Sequence, residues 1–560
     1  MSSVSGSTGG HNIYFILNET LNKYKHLTDS NDCPTEDEAR ELREGLTIAA
    51  DYLYKFRARR QSLRLNNEAT KARQEEKAIL RIIQNHRTVL SPVRRVPTEI
   101  WEEIFTYCGE QTDGLCTPVD PCHIKIDEFP WVLGRVCSRW REIMMDTPAF
   151  WTNVRTNLKN YYLCDSRRQP MQTVIQRSKT VPIDLKIESD PNVAQATVTG
   201  VARLLFGLRD KIESLELMMP FEHFQFMEAE IKSSALTVLK KLHLGYPMEY
   251  NSSKKYLQKD NVNVFATAPR LKQVTICGGG TDFPDKFNLP WRQLEVVEQY
   301  LARGDQVLQC ISNCPNMHTL YVYETYGMRT DLTILRHDVL RCVSLGEVLL
   351  LDYLELPSLV KLTIGYNSTL RSPFDAYAAR LERFLGRCGS NLETLVIGHI
   401  PFENKGLVPI LRQTPRLKKF KIECGYRMTS LTEGALIRDL ISSLSIQKDI
   451  PILLPFLEEL HISVRYEETM VAVVDDKLCR VLDSRVGQRT LFAPLQSFLL
   501  HVRDADELSF YSGVSPHCIN FLMDLSVREV GVELEIGCPG KWPFEEGQLI
   551  NTLSQVRGCT

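Results

Sequence analysis

A short phrase of apolar residues recurs along the chain beyond position 200 and limits the folds available to it. The phrase is an apolar residue, two variable positions, a second apolar residue, one variable position and a third apolar residue. Its occurrences are Ile212-Leu215-Leu217, Leu239-Leu242-Leu244, Leu271-Val274-Ile276, Met317-Leu320-Val322, Leu359-Leu362-Ile364, Leu392-Leu395-Ile397, Leu417-Phe420-Ile422, Leu457-Leu460-Ile462 and Leu495-Phe498-Leu500. Residues two positions apart share one face of a strand, so each occurrence predicts a short strand with one buried face.

The phrase has the spacing of the leucine-rich repeat, in which each repeat supplies one strand to a curved parallel sheet. Stretches between the occurrences, such as 375–387 and 432–444, have helix-like patterns. The intervals are uneven, so the predicted solenoid is irregular. The competing interpretation is an ordinary α/β domain with several leucine-rich strands.

Residues 35–91 have the pattern of a long helical arm. Thr35 and Glu38 have the spacing of a capping box at its start. Two apolar series follow in different phases, the first at heptad spacing; they are Leu42, Leu46, Ala49, Leu53, Phe56 and Leu63, then Ala69, Ala72, Ile79, Ile83 and Leu90. The pattern fits one long bent helix or a helical hairpin, and the stripe is covered either within the chain or by a second copy in a coiled coil.

Two short amphipathic segments rich in aromatic residues follow the arm. The first is VRRVPTEIWEEIF, residues 93–105, in which Pro97 suits the first turn of a helix. The second is PWVLGRVCSRWREIMMDTPAFW, residues 130–151, in which Val132, Val136, Trp140 and Ile143 have helical spacing. The two segments together are close to the smallest size that can form an independent core. The apolar faces of their helices therefore either complete a neighbouring domain or bind another protein.

Together these segments resemble the F-box as it occurs in the large F-box families of mushroom-forming fungi. The resemblance rests on LSPVRRVPTEIWEEIF, on the Val-Cys-x-x-Trp unit and on the terminal Trp, and it extends from about Thr35 through MQTVIQRSKTVPIDLKI to Ile187. The chain departs from the family pattern at Val96, where Leu is commoner, and in an insertion at 108–128. The resemblance implies a non-catalytic substrate receptor of an SCF-type cullin–RING ubiquitin ligase.

In that family the F-box binds a Skp-type adaptor and a separate domain captures the protein to be ubiquitinated. The implied adaptor-binding residues are Val96, Pro97, Ile100, Ile104, Phe105, Val132, Val136, Cys137, Trp140 and Trp151. For some of them, Val136 and Trp140 above all, the alternative role is in the core of the small domain itself.

Target binding is expected at variable positions beside the predicted strands. The candidates are Lys241, His243, Thr319, Tyr321, Lys418, Lys421, Glu459 and His461. A basic group of Lys418, Lys419 and Lys421 favours an acidic or phosphorylated segment as the target.

The expected fold class is therefore a helical arm and a small all-α F-box, followed by an irregular leucine-rich-repeat solenoid. The expected divisions are 1–34, disordered or a short helix; 35–91, the arm; 92–152, the F-box; 153–200, a linking segment with a first strand; 201–545, the solenoid; and 546–560, a tail.

Sequence signatures of catalysis are weak. CGGGTD at 277–282 is better interpreted as a turn than as a phosphate loop, and Cys116, Cys122 and His123 lack a fourth zinc ligand at standard spacing. We expect no catalytic residue, metal or cofactor. Two other classes stay open, namely a ligase-independent leucine-rich-repeat scaffold and an enzyme whose site is assembled from dispersed residues.

Charge and cysteine usage bear on partners and compartment. The formal net charge of −2 gives no overall attraction to nucleic acid or to a membrane, and we expect neither as a partner. The 16 cysteines include no C-x-x-C pair, and MSSVSGSTGG lacks the features of a secretory signal. These observations favour free thiols in the cytoplasm or nucleus.

Overall fold

The chain divides into two compact units, Met1–Lys186 and Ile187–Thr560. The computed structural model describes residues 19, 22–60, 66–110, 129–158, 168–231, 236–245, 261–277, 286–328, 333–365, 376–398, 407–423, 430–446, 451–465, 475–485, 493–503, 516–527 and 531–536. These residues form a mixed structure of helices and strands with one large parallel sheet, and the described strands do not close into a barrel.

The first unit is mainly helical. Its helices are α1 (Lys25–Asp29), α2 (Glu36–Arg60), α3 (Asn66–Val89), α4 (Thr98–Glu110), α5 (Ser138–Asp146) and α6 (Arg168–Arg177), with 3₁₀ turns at Pro92–Arg95, Leu133–Arg135 and Pro148–Trp151. Its strands are β1 (Asn153–Asn157) and β2 (Ile183–Glu188), and β2 crosses the boundary with the second unit.

The predicted capping box is present at the start of α2. The Thr35 N–H donates to Glu38 Oε2 at 2.8 Å, and the Glu38 N–H donates to Thr35 Oγ1 at 3.4 Å. Each side chain therefore satisfies a backbone donor that the first helical turn leaves without a carbonyl acceptor. The prediction of a helix start at this point is confirmed.

Helices α2 and α3 pack against each other, so of the two alternatives for the arm the structure shows a helical hairpin. The shared core consists of Ala49, Leu53, Ile79, Ile82 and Ile83. The heptad stripe of α2 is thus covered by α3 of the same chain. Leu63 and the side chain of Ala69 lie outside the described part of the arm.

An aromatic core joins α4 to α5 and to the turn that follows. The Trp140 ring lies 4.8 Å from the Trp101 ring and 4.9 Å from the Phe105 ring, centroid to centroid. Phe105 also meets Phe150 edge to face at 6.2 Å. Edge-to-face and tilted contacts of this kind are the favoured geometry for aromatic pairs.

The second unit alternates strands with helices. Its sheet strands are β3 (Ile212–Met218), β4 (Lys241–Gly245), β5 (Gln273–Cys277), β6 (Val296–Tyr300), β7 (Thr319–Val322), β8 (Cys342–Leu345), β9 (Lys361–Ile364), β10 (Thr394–Gly398), β11 (Lys419–Glu423), β12 (Glu459–Arg465), β13 (Ser497–Arg503) and β14 (Gly531–Ile536). Its helices are α7 (Gln195–Gly207), α8 (Phe221–Ile231), α9 (Gly304–Asn313), α10 (Ala376–Cys388), α11 (Leu407–Arg412), α12 (Ser430–Leu444), α13 (Asp476–Arg485) and α14 (Pro516–Val527).

Strands β3 to β14 are parallel neighbours in chain order. Their register aligns the apolar phrase from strand to strand: Leu215 pairs with Leu242, and Leu242 pairs with Val274. Every residue of the nine occurrences is at most 2% exposed. The predicted strands and their buried face are therefore confirmed, because matching apolar positions stack into continuous rows across the sheet.

Some strands were not among the nine predictions. Strand β8 carries the same phrase in Leu340, Val343 and Leu345, and Val343 pairs with Leu320 of β7. Strand β6 has Leu294 and Val297, but its third position is Gln299, which is buried and pairs with Val322. A search for apolar triplets therefore could not identify β6.

Candidate functional site

Apolar side chains remain exposed on α4. Ile100 is 45% exposed and Ile104 is 42% exposed, and their i, i+4 spacing places them on one face of the helix. Val132 and Val136, on either side of the 3₁₀ turn before α5, are exposed as well. We call these four residues the exposed aliphatic group.

Three other large apolar residues of the same part of the chain are also exposed. They are Val93, Tyr107 and Met145. Single exposed apolar residues are common on proteins, but this many within one short stretch is typical of a surface that another protein covers.

Two arginines position the start of α4. The Arg139 guanidinium, on α5, donates to the backbone carbonyls of Arg94 at 2.6 Å and Val96 at 2.5 Å. The Arg94 guanidinium donates in turn to the carbonyls of Leu27 at 2.6 Å and Asp32 at 3.1 Å, and its burial lowers its pKa. The start of α4 is thus tied both to α5 and to the segment around α1.

The second amphipathic segment is not one continuous helix, contrary to its helical spacing. Cys137 has an extended backbone and caps α5, with its thiol accepting the Trp140 N–H at 3.5 Å. Val132 and Val136 therefore lie before the helix, on the short 3₁₀ turn and its flanks. The spacing of the apolar residues could not show this break, because a 3₁₀ turn followed by a helix has a similar period.

The predicted adaptor-binding residues divide between surface and core. Pro97, Ile100, Ile104, Val132 and Val136 are exposed, whereas Val96, Cys137 and Trp140 are partly buried.

Phe105 and Trp151 are corrections to the predicted set. Phe105 is 1% exposed and Trp151 is 2% exposed, so neither presents a surface to another protein. The Phe105 ring stacks on Trp101 at 5.5 Å, and the Trp151 indole N–H donates to the Met144 carbonyl at 2.5 Å. Both side chains belong to the core of the first unit.

In the second unit, the residues between the buried positions share the opposite face of the sheet. This face carries the predicted candidates Lys241, His243, Thr319, Tyr321, Lys421, Glu459 and His461. Thr319 is buried and the others are at least partly exposed. Lys418 lies just before β11 and not on this face of the strand.

The predicted basic group is largely compensated by acidic neighbours. The Lys418 ammonium lies 3.0 Å from a Glu393 carboxylate oxygen, and the Lys419 ammonium lies 2.6 Å from a Glu459 carboxylate oxygen. Burial and the charge of Lys421 lower the pKa of His461 to about 4, so His461 is neutral near pH 7. The group therefore has less net positive charge than its sequence suggests.

The same face holds one cluster that the sequence did not indicate, on β6 and β7. It comprises Glu298, Tyr300 and Tyr323 together with the predicted candidate Tyr321. These residues are contiguous only because β6 pairs with β7, and β6 was not predicted. A search that tolerated one polar residue in the phrase would have found it.

The described part of the chain holds neither a metal-binding cluster nor a membrane-spanning helix. That part contains no group of three or more His, Cys, Asp or Glu residues able to hold a metal ion. Cys116, Cys122 and His123 lie outside it, and of CGGGTD only Cys277 is included. No helix within the same ranges has the length and apolarity needed to cross a lipid bilayer.

Comparisons with known proteins identify no family. Neither protein-family profiles nor curated protein sequences gave a match. Among solved structures, a Bacteroides fragilis protein determined by the Northeast Structural Genomics Consortium aligns with 63% of this chain and 86% of its own, with 11% identity and a TM-score of 0.26. A similarity at this level supports no conclusion about fold or function.

Proposed function

We propose that this chain is a substrate receptor of an SCF-type cullin–RING ubiquitin ligase. In this proposal residues 92–152 are an F-box that binds a Skp-type adaptor. The parallel sheet of the second unit is an irregular leucine-rich-repeat solenoid that captures the target protein. The chain itself has no catalytic role, since ubiquitin transfer belongs to the RING subunit and its conjugating enzyme.

The observation that carries the proposal is the contrast between neighbouring residues on α4. Trp101 and Phe105 are buried in the aromatic core, yet Ile100 and Ile104, each one position away, stay exposed. Fully burying an isoleucine side chain contributes roughly 1.5–3 kcal/mol, so two half-exposed isoleucines leave about that much to be gained when a partner covers them. A docking surface for an apolar partner accounts for this arrangement.

Two further observations support the same function. The exposed aliphatic group coincides with positions that the F-box resemblance assigns to the adaptor, namely Ile100, Ile104, Val132 and Val136. The in-register parallel strands of the second unit present a long row of polar and aromatic side chains opposite their buried leucines. An extended face of this composition suits protein binding.

A pull-down with purified Skp-type adaptor tests the adaptor site. The double variant Ile100→Ser, Ile104→Ser should lose adaptor binding, because it removes apolar surface without touching the aromatic core. Ile48→Ser is the matched control: Ile48 is also an isoleucine on a helix and is 47% exposed, but it lies on α2. Circular dichroism of each variant checks that the fold is retained.

Two outcomes contradict the proposal. If the folded double variant binds the adaptor as strongly as the unchanged chain, the adaptor site is elsewhere. If the unchanged chain binds the adaptor but never co-purifies with a cullin, the ligase-independent scaffold replaces the receptor as the better interpretation.

A further inference from the structure

Three tyrosines and one carboxylate lie together on the face of the sheet opposite the buried leucines. Val297 of β6 is buried in the core, so Glu298 and Tyr300, at alternate positions, face the other way. Glu298 pairs with Tyr321 across β6 and β7. The rings of Tyr300 and Tyr323 stack with centroids 4.1 Å apart and planes 13° from parallel. We call Glu298, Tyr300, Tyr321 and Tyr323 the tyrosine–glutamate cluster.

The carboxylate of Glu298 has only neutral hydrogen-bond donors among its described contacts. Thr275 Oγ1 donates to it at 3.2 Å and Gln273 Nε2 at 3.5 Å. Burial raises the pKa of Glu298, and no basic side chain of the described residues offsets that effect. A partly desolvated carboxylate without a cation beside it gains substantially when one arrives.

The rings beside Glu298 also favour a positive charge. Tyr321 and Tyr323 are partly exposed, whereas Tyr300, which stacks on Tyr323, is buried. The face of a tyrosine ring carries negative potential, and a cation within about 6 Å of its centre is attracted. The Glu298 carboxylate and the tyrosine rings therefore both favour a positively charged ligand and disfavour an anion.

The row of the sheet that contains Tyr300 and Tyr323 continues into three glycines. Beyond Tyr323 the row continues through Gly346, Gly365 and Gly398, which have no side chains. A Cβ at Gly346 would lie 1.7 Å from the Tyr323 carbonyl oxygen, so a larger residue cannot replace this glycine without moving the backbone. At Gly365 no atom lies within 4 Å of the Cβ position. Gly346 therefore lets β8 approach the backbone of Tyr323 closely, and free space at a Cβ position is shown at Gly365.

We propose that the tyrosine–glutamate cluster binds a lysine or arginine side chain of the captured protein. Its cationic head lies at Glu298, beside the rings of Tyr321 and Tyr323. The inference rests on the proposed function in taking the ligand to be part of a protein. It names the chemistry of the target, which is basic at this point of the sheet.

Fluorine NMR of the full chain labelled with 3-fluorotyrosine tests the proposal. The probes are Nα-acetyl-lysine amide and Nα-acetyl-arginine amide, with Nα-acetyl-norleucine amide as the neutral probe. The Tyr321 and Tyr323 signals, assigned with the Tyr321→Phe and Tyr323→Phe variants, should shift with at least one cationic probe and not with norleucine. Comparing the two cations shows which head group the site prefers.

Three variants locate the binding. Glu298→Gln keeps the size of the side chain. It should lower the affinity for the cationic probes roughly tenfold or more, because a charge-assisted contact is lost. Tyr321→Leu keeps the carboxylate but removes a ring and should also weaken binding. Glu382→Gln, at an exposed position of α10, is the matched control and should bind as the unchanged chain does.

The proposal is overturned if neither cation shifts the two signals, if norleucine shifts them equally, or if Glu298→Gln and Tyr321→Leu bind the cations with unchanged affinity. Its failure is distinguishable from failure of the proposed function. Loss of adaptor binding in the Ile100→Ser, Ile104→Ser variant leaves the fluorine signals unaffected, and Glu298→Gln leaves adaptor binding unaffected.

Discussion

At the scale of single residues, buried polar groups mark the places where the apolar pattern fails. Gln299 occupies a core position of β6 that is apolar in the neighbouring strands, and neither atom of its amide has a hydrogen-bond partner in the described structure. Adjacent residues on α4 show that the sequence alone also does not decide which of two apolar neighbours is buried. Ile104 and Phe105 are both apolar, and Phe105 is covered because residues distant in sequence, Trp140 and Phe150, pack against it.

Glu347, after β8, is a buried carboxyl with an incomplete set of partners. Thr325 Oγ1 donates to its Oε2 at 3.1 Å, while its Oε1 has no partner in the described structure. Burial, reinforced by the charge of Glu324, raises the pKa of Glu347. The folded state therefore prefers the protonated form more than the unfolded state does.

The stability of the chain should consequently depend on pH through Glu347. As pH rises from the ordinary glutamate pKa to the raised pKa of the folded state, ionisation of Glu347 lowers the free energy of unfolding. Above the raised pKa this loss is complete. At neutral pH, Glu347→Gln should be more stable than the unchanged chain, because glutamine keeps the size of the side chain without a charge to bury; the gain is about 1.4 kcal/mol for each unit by which the folded pKa is raised.

Urea unfolding at a series of pH values measures this gain, which should shrink as pH falls through the raised folded pKa and disappear below the ordinary glutamate pKa. Glu382→Gln, at an exposed position of α10, is the control and should give no pH-dependent difference. A gain that is the same at every pH would show that ionisation is not its cause.

At the scale of elements, sequence periodicity predicted the features that depend on residues close together in the chain, such as a helix start and the apolar face of a helix. The capping box at Thr35 and the two apolar series of the arm depend on residues within a few positions of each other. The capping box is confirmed, and members of both series that the structure describes, such as Leu53 and Ile79, pack in a common core. The break at Cys137 could not be predicted in this way. Its cause is tertiary, since α5 starts where Trp140 enters the aromatic core and Arg139 binds the carbonyls before α4.

The hairpin of α2 and α3 makes a prediction that separates it from a coiled coil between two copies. Ile79 is buried between Ala49 and Leu53, so Ile79→Ala should lower the free energy of unfolding by about 2–5 kcal/mol. Because the partner helix belongs to the same chain, the unfolding midpoint should not change with protein concentration.

Circular dichroism of urea unfolding at widely separated protein concentrations measures both quantities. Leu80→Ala removes the same class of side chain at the next, exposed position of α3 and should have a small effect. A midpoint that rises with concentration would favour association of the arm with a second copy.

At the scale of the whole molecule, the sheet of the second unit was predictable from the sequence, whereas contacts between distant strands were not. The repeating phrase has the spacing of the leucine-rich repeat and therefore predicted a parallel sheet, and the observed register aligns its apolar positions from strand to strand. The boundary between the units lies at Lys186, inside the segment 153–200 that was expected to link two domains. The tyrosine–glutamate cluster, by contrast, depends on pairing between strands that are distant in sequence.

The sheet also makes a prediction about how stability is distributed. Leu395 of β10 pairs with Leu362 of β9 on one side and with Phe420 of β11 on the other. Because each strand pairs only with its neighbours, Leu395→Ala should accelerate amide exchange most in β9, β10 and β11 and progressively less in more distant strands. Exchange in α2 and α3 should stay unchanged.

Hydrogen–deuterium exchange with mass spectrometry measures this gradient. Val396→Ala is the matched control: it alters the next residue of the same strand, on the opposite, partly exposed face, and should change exchange little. Equal acceleration in every strand of the second unit would show that the sheet opens as one cooperative body. A gradient centred on β10 would instead show that a strand can be loosened locally, and that the face carrying the tyrosine–glutamate cluster keeps its geometry when distant strands are altered.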